Sequence, residues 1–387
     1  MSQTQSQELK PNTTDVSGSP LLLAHYMPWY EARAENQFWG WHWTMNHFDP
    51  TNTRQGKREI ASHFYPTIGP YDSGDTHVIR YHFLLMKLAG IDGIIIDWYG
   101  LENFRDYANL HANTTKAIDL ASEYGLKVVI CYEDQTIPIL VEANKLQPSE
   151  RVTHVTAELK WLQQNWFQQS NYLTHGKKPV MLSFGQTGLT AEEWQQVFRR
   201  SGLQVSYFSQ HHRRPSAVGA FDWPIPTETL GGQMRFNRSA RSWNVAIPVA
   251  FPRFVDIYAQ AELHDSYGNI ADRDGKTLKE TLANARRLGS PFIQIATWND
   301  WGEGTQIEPS LEHGTRDLEI IQRFKASLSN VPWPYTSDML PWPQRLYQLR
   351  TRTEGPESDL LMKAEHLILN GKNAEALKLI EQMERQK

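Results

Sequence analysis

Short β-rich runs recur along most of this chain, and nearly all are separated by stretches with helical periodicity. The runs are Leu21–Met27, Gly93–Trp98, Lys127–Tyr132, Pro179–Phe184, Gln204–Ser209, Ala217–Trp223, Val245–Phe251 and Pro291–Trp298. Several are continuously apolar (GIIIDW, KVVICY, NVAIPVAF), as expected of strands buried on both faces of a parallel sheet. Helices are expected at Thr76–Ala89, Tyr107–Tyr124, Ser149–Gln169, Ala191–Arg200 and Thr277–Leu288. Asp75 and Thr190 suit N-caps, and Gly90, Gly125, Gly202 and Gly289 suit C-terminal positions. A doubly wound sheet needs a Gly-rich turn after its first strand, and MPWYEARAENQFWG lacks one. The pattern predicts an α/β fold, a (β/α)8 TIM barrel, with chemistry at the C-terminal strand ends. At 387 residues the length alone suggests roughly two or three domains, but such a barrel fills this length as one.

The two ends differ from the middle. Residues 1–20 are polar, without a basic start or an apolar core, and read as a disordered leader. Their Ser/Thr/Gln/Pro composition favours an exported protein whose signal has been removed over a cytoplasmic one. The barrel is expected over 21–343, closing on the Pro-rich stretch Val331–Pro343. Residues 344–387 read as helices at Gln344–Arg352, Glu357–Leu369 and Asn373–Gln386, with Asn370-Gly371 as a turn. One such hairpin is no repeat array, so a cap on the barrel is expected, with docking of a protein partner as the alternative. No stretch reaches the ~20 apolar residues of a membrane span. With 39 basic and 43 acidic residues there is no basic footprint for nucleic acid. The single cysteine, Cys131, is expected to exclude an internal disulfide and any Cys-based zinc site, and reads as core.

The predicted strand ends carry Tyr26-Met27-Pro28-Trp29-Tyr30, Asp97-Trp98-Tyr99, Tyr132-Glu133-Asp134, Phe221-Asp222-Trp223, Pro252-Arg253 and Trp298-Asn299-Asp300-Trp301-Gly302-Glu303-Gly304. Carboxylates beside Trp and Tyr suit sugars, whose C–H faces stack on rings and whose glycosidic cleavage usually takes two carboxyl groups. Asp300 and Glu303 are the strongest pair, three residues apart with glycines allowing a sharp turn. One of them, desolvated by Trp298 and Trp301, would gain the raised pKa of a general acid; the alternative is a solvated loop with incidental acids. Asp97 and Glu133 end apolar runs, where an unpartnered carboxylate is costly, so contact with substrate is expected. The expected substrate-binding residues are Tyr26, Trp29, Tyr71, Asp72, Asp97, Trp98, Tyr99, Glu133, Arg253, Trp298, Asn299 and Trp301. FWGWHW (Phe38–Trp43) in the long first loop is either a lid or a stacking platform. Of the 14 Trp, eight are expected at the mouth: Trp29, Trp39, Trp41, Trp43, Trp98, Trp223, Trp298 and Trp301. No cofactor or metal is expected. His211-His212 diverge on an extended chain, Asp265–Gly275 misses calcium-loop spacing, and no phosphate cradle appears.

The stretches HYMPWY, HFYPTIGPYDSGD, LLMKLAGIDGIIIDWYG and TWNDWGEGTQIEP resemble the family 71/99-like glycoside hydrolases, over about Leu22 to Pro309. Family 99 contains endo-acting α-mannosidases and mannanases, and family 71 contains α-1,3-glucanases. The resemblance implies a glycosidase acting on α-linked mannose or glucose units of an oligosaccharide or polysaccharide. In family 99 the last-strand motif is Asn-Glu-Trp-His-Glu-Gly-Thr; in this chain it is Asn299 to Thr305, with Asp300 for the first Glu and Gly302 for the His. Glu303 then matches the general acid/base, and Asp300 the partner that assists attack by the sugar's own 2-hydroxyl. Both departures move towards the Asn-Asp-x-Gly-Glu pattern of family 71. Glu133 corresponds to a substrate-contacting glutamate, whereas Asp97 replaces a residue not usually acidic. A catalytically silent carbohydrate-binding barrel is the rival reading.

Overall fold

The computed structural model describes residues 18–33, 38–328, 332–351 and 357–385; most of the expected leader, and Val331, lie outside them. Eight runs that can be buried on both faces form eight parallel strands: β1 (Leu21–Tyr26), β2 (Gly93–Trp98), β3 (Lys127–Glu133), β4 (Lys178–Phe184), β5 (Ser206–Gln210), β6 (Gly219–Phe221), β7 (Val249–Ala250) and β8 (Phe292–Ile295). Their spatial order is β6-β5-β4-β3-β2-β1-β8-β7, every neighbouring pair parallel. Between β6 and β7 the ring is completed by Ile247, whose N–H donates to Ala220 O (2.9 Å) while its carbonyl accepts from Asp222 N (3.0 Å). The seventh run is shorter than expected because Pro248 has no N–H to give the ladder; its carbonyl still accepts from Gln294 N (2.9 Å). The fold is a nearly closed (β/α)8 barrel.

The helices are α1 (Trp41–Thr44), α2 (Thr76–Ala89), α3 (Tyr107–Glu123), α4 (Thr136–Glu142), α5 (Arg151–Asn165), α6 (Ala191–Ser201), α7 (Leu230–Ala240), α8 (Lys276–Arg286), α9 (Arg316–Ser327), α10 (Trp342–Arg350), α11 (Glu357–Leu369) and α12 (Asn373–Arg385). Asp75 accepts from His77 N, and Thr190 and Glu193 form a reciprocal capping box. Helix α7 escapes sequence reading because Gly231-Gly232 in its first turn is a poor helix former. What holds it is tertiary: Gln233 Nε2 donates to Val249 O (2.6 Å) and Thr281 O (2.9 Å).

The pleat divides each strand between two packed regions. Leu22, Ala24, Tyr26, Ile94, Ile96, Trp98, Val128, Ile130 and Tyr132 pack outward under the helices. Leu23, Ile95, Val129, Cys131, Phe208, Phe221 and Phe292 fill the lumen. This parity decides which strand-end side chains reach the mouth.

The C-terminal helices sit on the barrel's outer wall. Tyr347 of α10 meets Tyr81 of α2, ring centroids 5.7 Å apart. Glu365 of α11, buried, bonds Arg350 and accepts from Tyr124 just past α3 (2.8 Å), with Arg80 of α2 at 3.7 Å. Removing one partner of a buried ion pair leaves an uncompensated charge and costs about 3–5 kcal/mol. Glu365→Ala should therefore lower the stability read from urea unfolding by that order; a loss under about 1 kcal/mol would mean that the tail is held by apolar packing instead.

Candidate active site

The turn after β8 is built around Asn299. Its Oδ1 accepts from Met27 N (2.8 Å) and its Nδ2 donates to Met27 O (2.9 Å), so one side chain continues the β1–β8 pairing beyond the backbone ladder. The same Nδ2 donates to Tyr71 Oη (3.1 Å), and Tyr71 donates to Glu308 Oε2 (2.7 Å). Glu308 faces His82 Nε2 (3.1 Å), and His82 Nδ1 lies 3.2 Å from Tyr26 Oη. Tyr30 Oη donates to Asn299 O and accepts from Trp301 N, both at 3.0 Å. Asp300 N donates to Thr297 Oγ1 (2.8 Å), and Asp300 Oδ1 accepts from Glu303 N (3.0 Å), so Asp300 closes the turn that carries Glu303. Gly304 has φ 67°, and a Cβ there would lie 2.5 Å from Val255 O, which restricts the position to glycine.

Four carboxyls meet at this end of the barrel: Asp97 from β2, Glu133 from β3, and Asp300 and Glu303 from the turn. Burial is the main cause of every shift among them. Asp300 is pushed up to about 6, opposed by the N–H groups of Glu303 and Gly302 and by the charge of His42. Glu303 is pushed well above the carboxylate range by burial and then by Asp300 and Asp256, with the Trp223 indole working against it. Asp97 is raised by burial and then by Asp300; Glu133 by burial and then by Asp97 and Asp134. One oxygen each of Asp97 and Glu303 is buried without a hydrogen-bond partner. Trp29, Tyr99 and Tyr258 flank the acids: Trp29 packs against Tyr99 (6.2 Å), and Tyr258 lies within the field of Glu303 and Asp300.

Beneath the acids, ligand atoms of His25, Asp97 and Cys131 lie within 4.8 Å of one another. Gln294 Nε2 donates to Asp222 O (3.0 Å), which turns its Oε1 towards His25 Nδ1 (3.4 Å) and leaves His25 Nε2 bare. The trio has donors suited to a divalent cation. Sequence reading did not find it because its members come from three strands. Burial lowers His25 to about 3 and raises Asp97 and Cys131, so it works against the charged form of each.

The structure brings together Asp300, Glu303, Asp97, Glu133, Trp29 and Tyr99. Others go elsewhere. Tyr26, Trp98 and Trp298 were expected to bind substrate, but they fall on the outward parity: Trp98 Nε1 donates to His111 (3.2 Å), and Trp298 packs on His82 (5.4 Å). Arg253 is buried and spent on Asp317 and the carbonyl of Gln306 (2.8 Å). Both Asp72 oxygens accept backbone N–H groups, from Ala32 (3.0 Å) and Gly74 (2.7 Å). Tyr71, Asn299 and Trp301 are buried and support the turn from behind. Sequence reading passed over Tyr258, which follows β7 in a loop without regular pattern, and left His42 unassigned within FWGWHW.

A barrel with paired carboxyls of unlike environment among aromatic rings at its C-terminal mouth defines a glycoside hydrolase. The family model for glycosyl hydrolase family 99 matches residues 19–211, a stretch that carries Trp29, Asp97, Tyr99 and Glu133 and ends before Asp300. The mouse glycoprotein endo-α-1,2-mannosidase is 25% identical over 331 residues, 76% of this chain and 69% of that protein. The human glycoprotein endo-α-1,2-mannosidase-like protein is 22% identical over 335 residues, 76% of this chain and 69% of that protein. The family 99 endo-α-mannosidase from Bacteroides thetaiotaomicron has the same fold at a TM-score of 0.61, with 17% identity, 84% of this chain and 99% of that one covered. The chain is a glycoside hydrolase similar to those of family 99.

Asn299→Leu keeps the side chain's bulk but strands the N–H and C=O of Met27, at about 1–3 kcal/mol for each buried group left unpaired. The thermal unfolding midpoint should fall accordingly; an unchanged midpoint would remove Asn299 from its place as the tie between β1 and the turn.

Proposed function

We propose that this protein hydrolyses α-linked glycosidic bonds of mannan- or glucan-type glycans, with Glu303 as general acid and Asp300 as base or assisting carboxylate. The observation that carries this reading is the contrast between the two acids. Asp300 accepts N–H groups and ionises near 6, whereas Glu303 keeps an unpartnered buried oxygen and holds its proton to higher pH. Asp300 thus gives up its proton before Glu303 does, the order that a base and an acid in one cleavage require. Glu303 gives its proton to the glycosidic oxygen as the C–O bond breaks. Asp300 takes the proton of the attacking hydroxyl, from water or from the sugar's 2-hydroxyl. Asp97 and Glu133 accept sugar hydroxyls, and Trp29 and Tyr99 supply apolar contact. In this reading residues 21–343 are the catalytic unit and the helices from 344 onward cap it. The names of the relatives make α-mannosyl linkages cleaved within a chain the first substrates to try.

The test is product analysis with α-1,2-linked manno-oligosaccharides and α-1,3-glucan. Glu303→Gln and Asp300→Asn should each lower kcat by about 10²–10⁴-fold, the size of a lost acid or base. Binding without cleavage of any such glycan would instead favour the carbohydrate-binding reading. If one variant keeps wild-type turnover, its residue has no part in the proton transfers of cleavage. Because Asp300 must be ionised and Glu303 protonated, kcat/KM should climb as pH rises through about 6 and fall again as Glu303 loses its proton. Both limbs report the coupled pair. A flat profile across pH 5–7 would be incompatible with the assignment of Asp300.

A further inference from the structure

We propose that His25, Asp97 and Cys131 form a binding site for a zinc ion in the barrel lumen, just below the acids of the mouth. The strand registers bring the three together. His25 of β1 stands opposite Ile95 of β2. Asp97 lies two residues further along β2, on the same face, and stands opposite Cys131 of β3. Neighbouring strands run about 4.8 Å apart, and the ligand atoms of the three side chains all lie within 4.8 Å of one another. His25 and Cys131 are fully buried, and Asp97, slightly open, borders the mouth.

A second observation is the orientation of His25. Gln294 Nε2 donates to Asp222 O (3.0 Å), so Oε1 is the end that faces His25 Nδ1 (3.4 Å). In the neutral ring the proton therefore sits on Nδ1, and the lone pair falls on Nε2, which is buried with no hydrogen-bond partner. An imidazole whose N–H meets a fixed amide oxygen while its other nitrogen is bare is arranged as a metal ligand. Trp223 packs against the ring (centroids 4.8 Å apart, planes at 81°) and is itself backed by Phe184 (4.9 Å), which holds the imidazole in place.

Imidazole, thiolate and carboxylate together suit zinc, whereas magnesium and calcium take oxygen ligands. The protons of the Cys131 thiol and the Asp97 carboxyl leave to solvent as the bonds form. A divalent ion, one thiolate, one carboxylate and a neutral imidazole then sum to zero, so the dry lumen carries no net charge. Tetrahedral zinc bonds of about 2.0–2.3 Å set donors about 3.3–3.8 Å apart, so the widest pair would close by about 1–1.5 Å. Three protein ligands leave the fourth position to water, and the second Asp97 oxygen stays free for the mouth. The expectation that a single cysteine rules out zinc holds for sites of several thiolates; a set completed by imidazole and carboxylate needs only one.

The site does not depend on the hydrolase reading. The experiment takes the full-length protein, stripped with a chelator, incubates it with zinc chloride or cobalt chloride until uptake stops, and desalts it. Zinc should be retained at about one ion per chain, and cobalt should give a thiolate-to-metal charge-transfer band in the near ultraviolet. The chain has one cysteine, so that band can come only from Cys131. Cys131→Ser should abolish the band, and His25→Phe should abolish zinc retention. Gln294→Leu keeps all three ligands but removes the acceptor that fixes the His25 tautomer, and should weaken zinc binding by about 10–100-fold. Wild-type protein that retains no zinc, or that takes up cobalt without the band, overturns the proposal, and these two readings hold even where a variant fails to fold. Equal zinc retention by wild type, Cys131→Ser and His25→Phe also overturns it, since the ion would then sit on other residues. If zinc and cobalt behave as expected and no glycan is cleaved, the metal site stands and the hydrolase reading falls.

Discussion

The two-way pairing of the Asn299 amide with the backbone of Met27 is the contact on which the site depends. In the barrel, the β1–β8 ladder runs as far as Ile295, one more backbone bond joins Trp298 N to His25 O (2.7 Å), and beyond that point the chain must turn to expose Asp300 and Glu303. A side chain carrying both a donor and an acceptor can extend the pairing past the ladder. An aspartate offers acceptors alone, and a serine is too short to span the gap. From Asn299 the network runs through Tyr71 and Glu308 to His82 and Tyr26, which stands on the helix side of β1. Each member leans on its neighbours for its polar contacts, so the chain ties the mouth to the outer shell as a unit.

On that platform, two acids in one short turn acquire different chemistry from small differences in surroundings. Asp300 has the shorter side chain and folds back to accept the turn's own N–H groups, which stabilise its ionised form even in a dry setting. Glu303 projects further, away from those donors and towards Trp223 and Tyr258, and carries the repulsion of Asp300 and Asp256. Burial alone would raise both. It is the backbone donors and the opposing charges that separate them. Asp97 and Glu133 add like charge across the cavity, and the unpartnered oxygens of Asp97 and Glu303 need donors that a hydroxyl-rich ligand would bring.

Much of this was legible in the sequence, for physical reasons that also mark where legibility stops. A strand buried on both faces has little choice but to be a short apolar run, so the eight runs could be counted. Acids held in a turn by glycines next to tryptophans stand out against such runs. The pleat is harder to read at a strand's end, where neighbouring polar and aromatic residues look equally placed for the mouth. In Asp97-Trp98 the acid must face the wetter lumen, which sends Trp98 under α3 and α5; the same alternation sends Tyr26 and Trp298 outward. Arg253 and Asp72 were misread for a different reason. Their partners, Asp317 and the amides of Ala32 and Gly74, are remote in sequence or belong to the backbone, and composition carries no trace of either.

The aromatic cluster of the first loop shows how much depends on whether a segment is extended or helical. As a strand, FWGWHW would place Trp39, Trp41 and Trp43 on one face, as a single lid or platform. Instead Trp41–Thr44 forms one helical turn, in which residues two apart point to nearly opposite sides. Trp43 therefore goes inward, fully buried and bonded to Tyr71, while Trp41 is left 40% exposed at the rim. The residue between them is rotated by about 100° from each, and this lays His42 on Trp29 with its Nε2 3.3 Å from Asp106 Oδ2. One turn of helix thus gives three neighbouring rings three separate places: Trp43 in the core, His42 stacked on Trp29, and Trp41 at the rim. A strand of the same sequence would have left His42 facing away from the tryptophans on both sides of it.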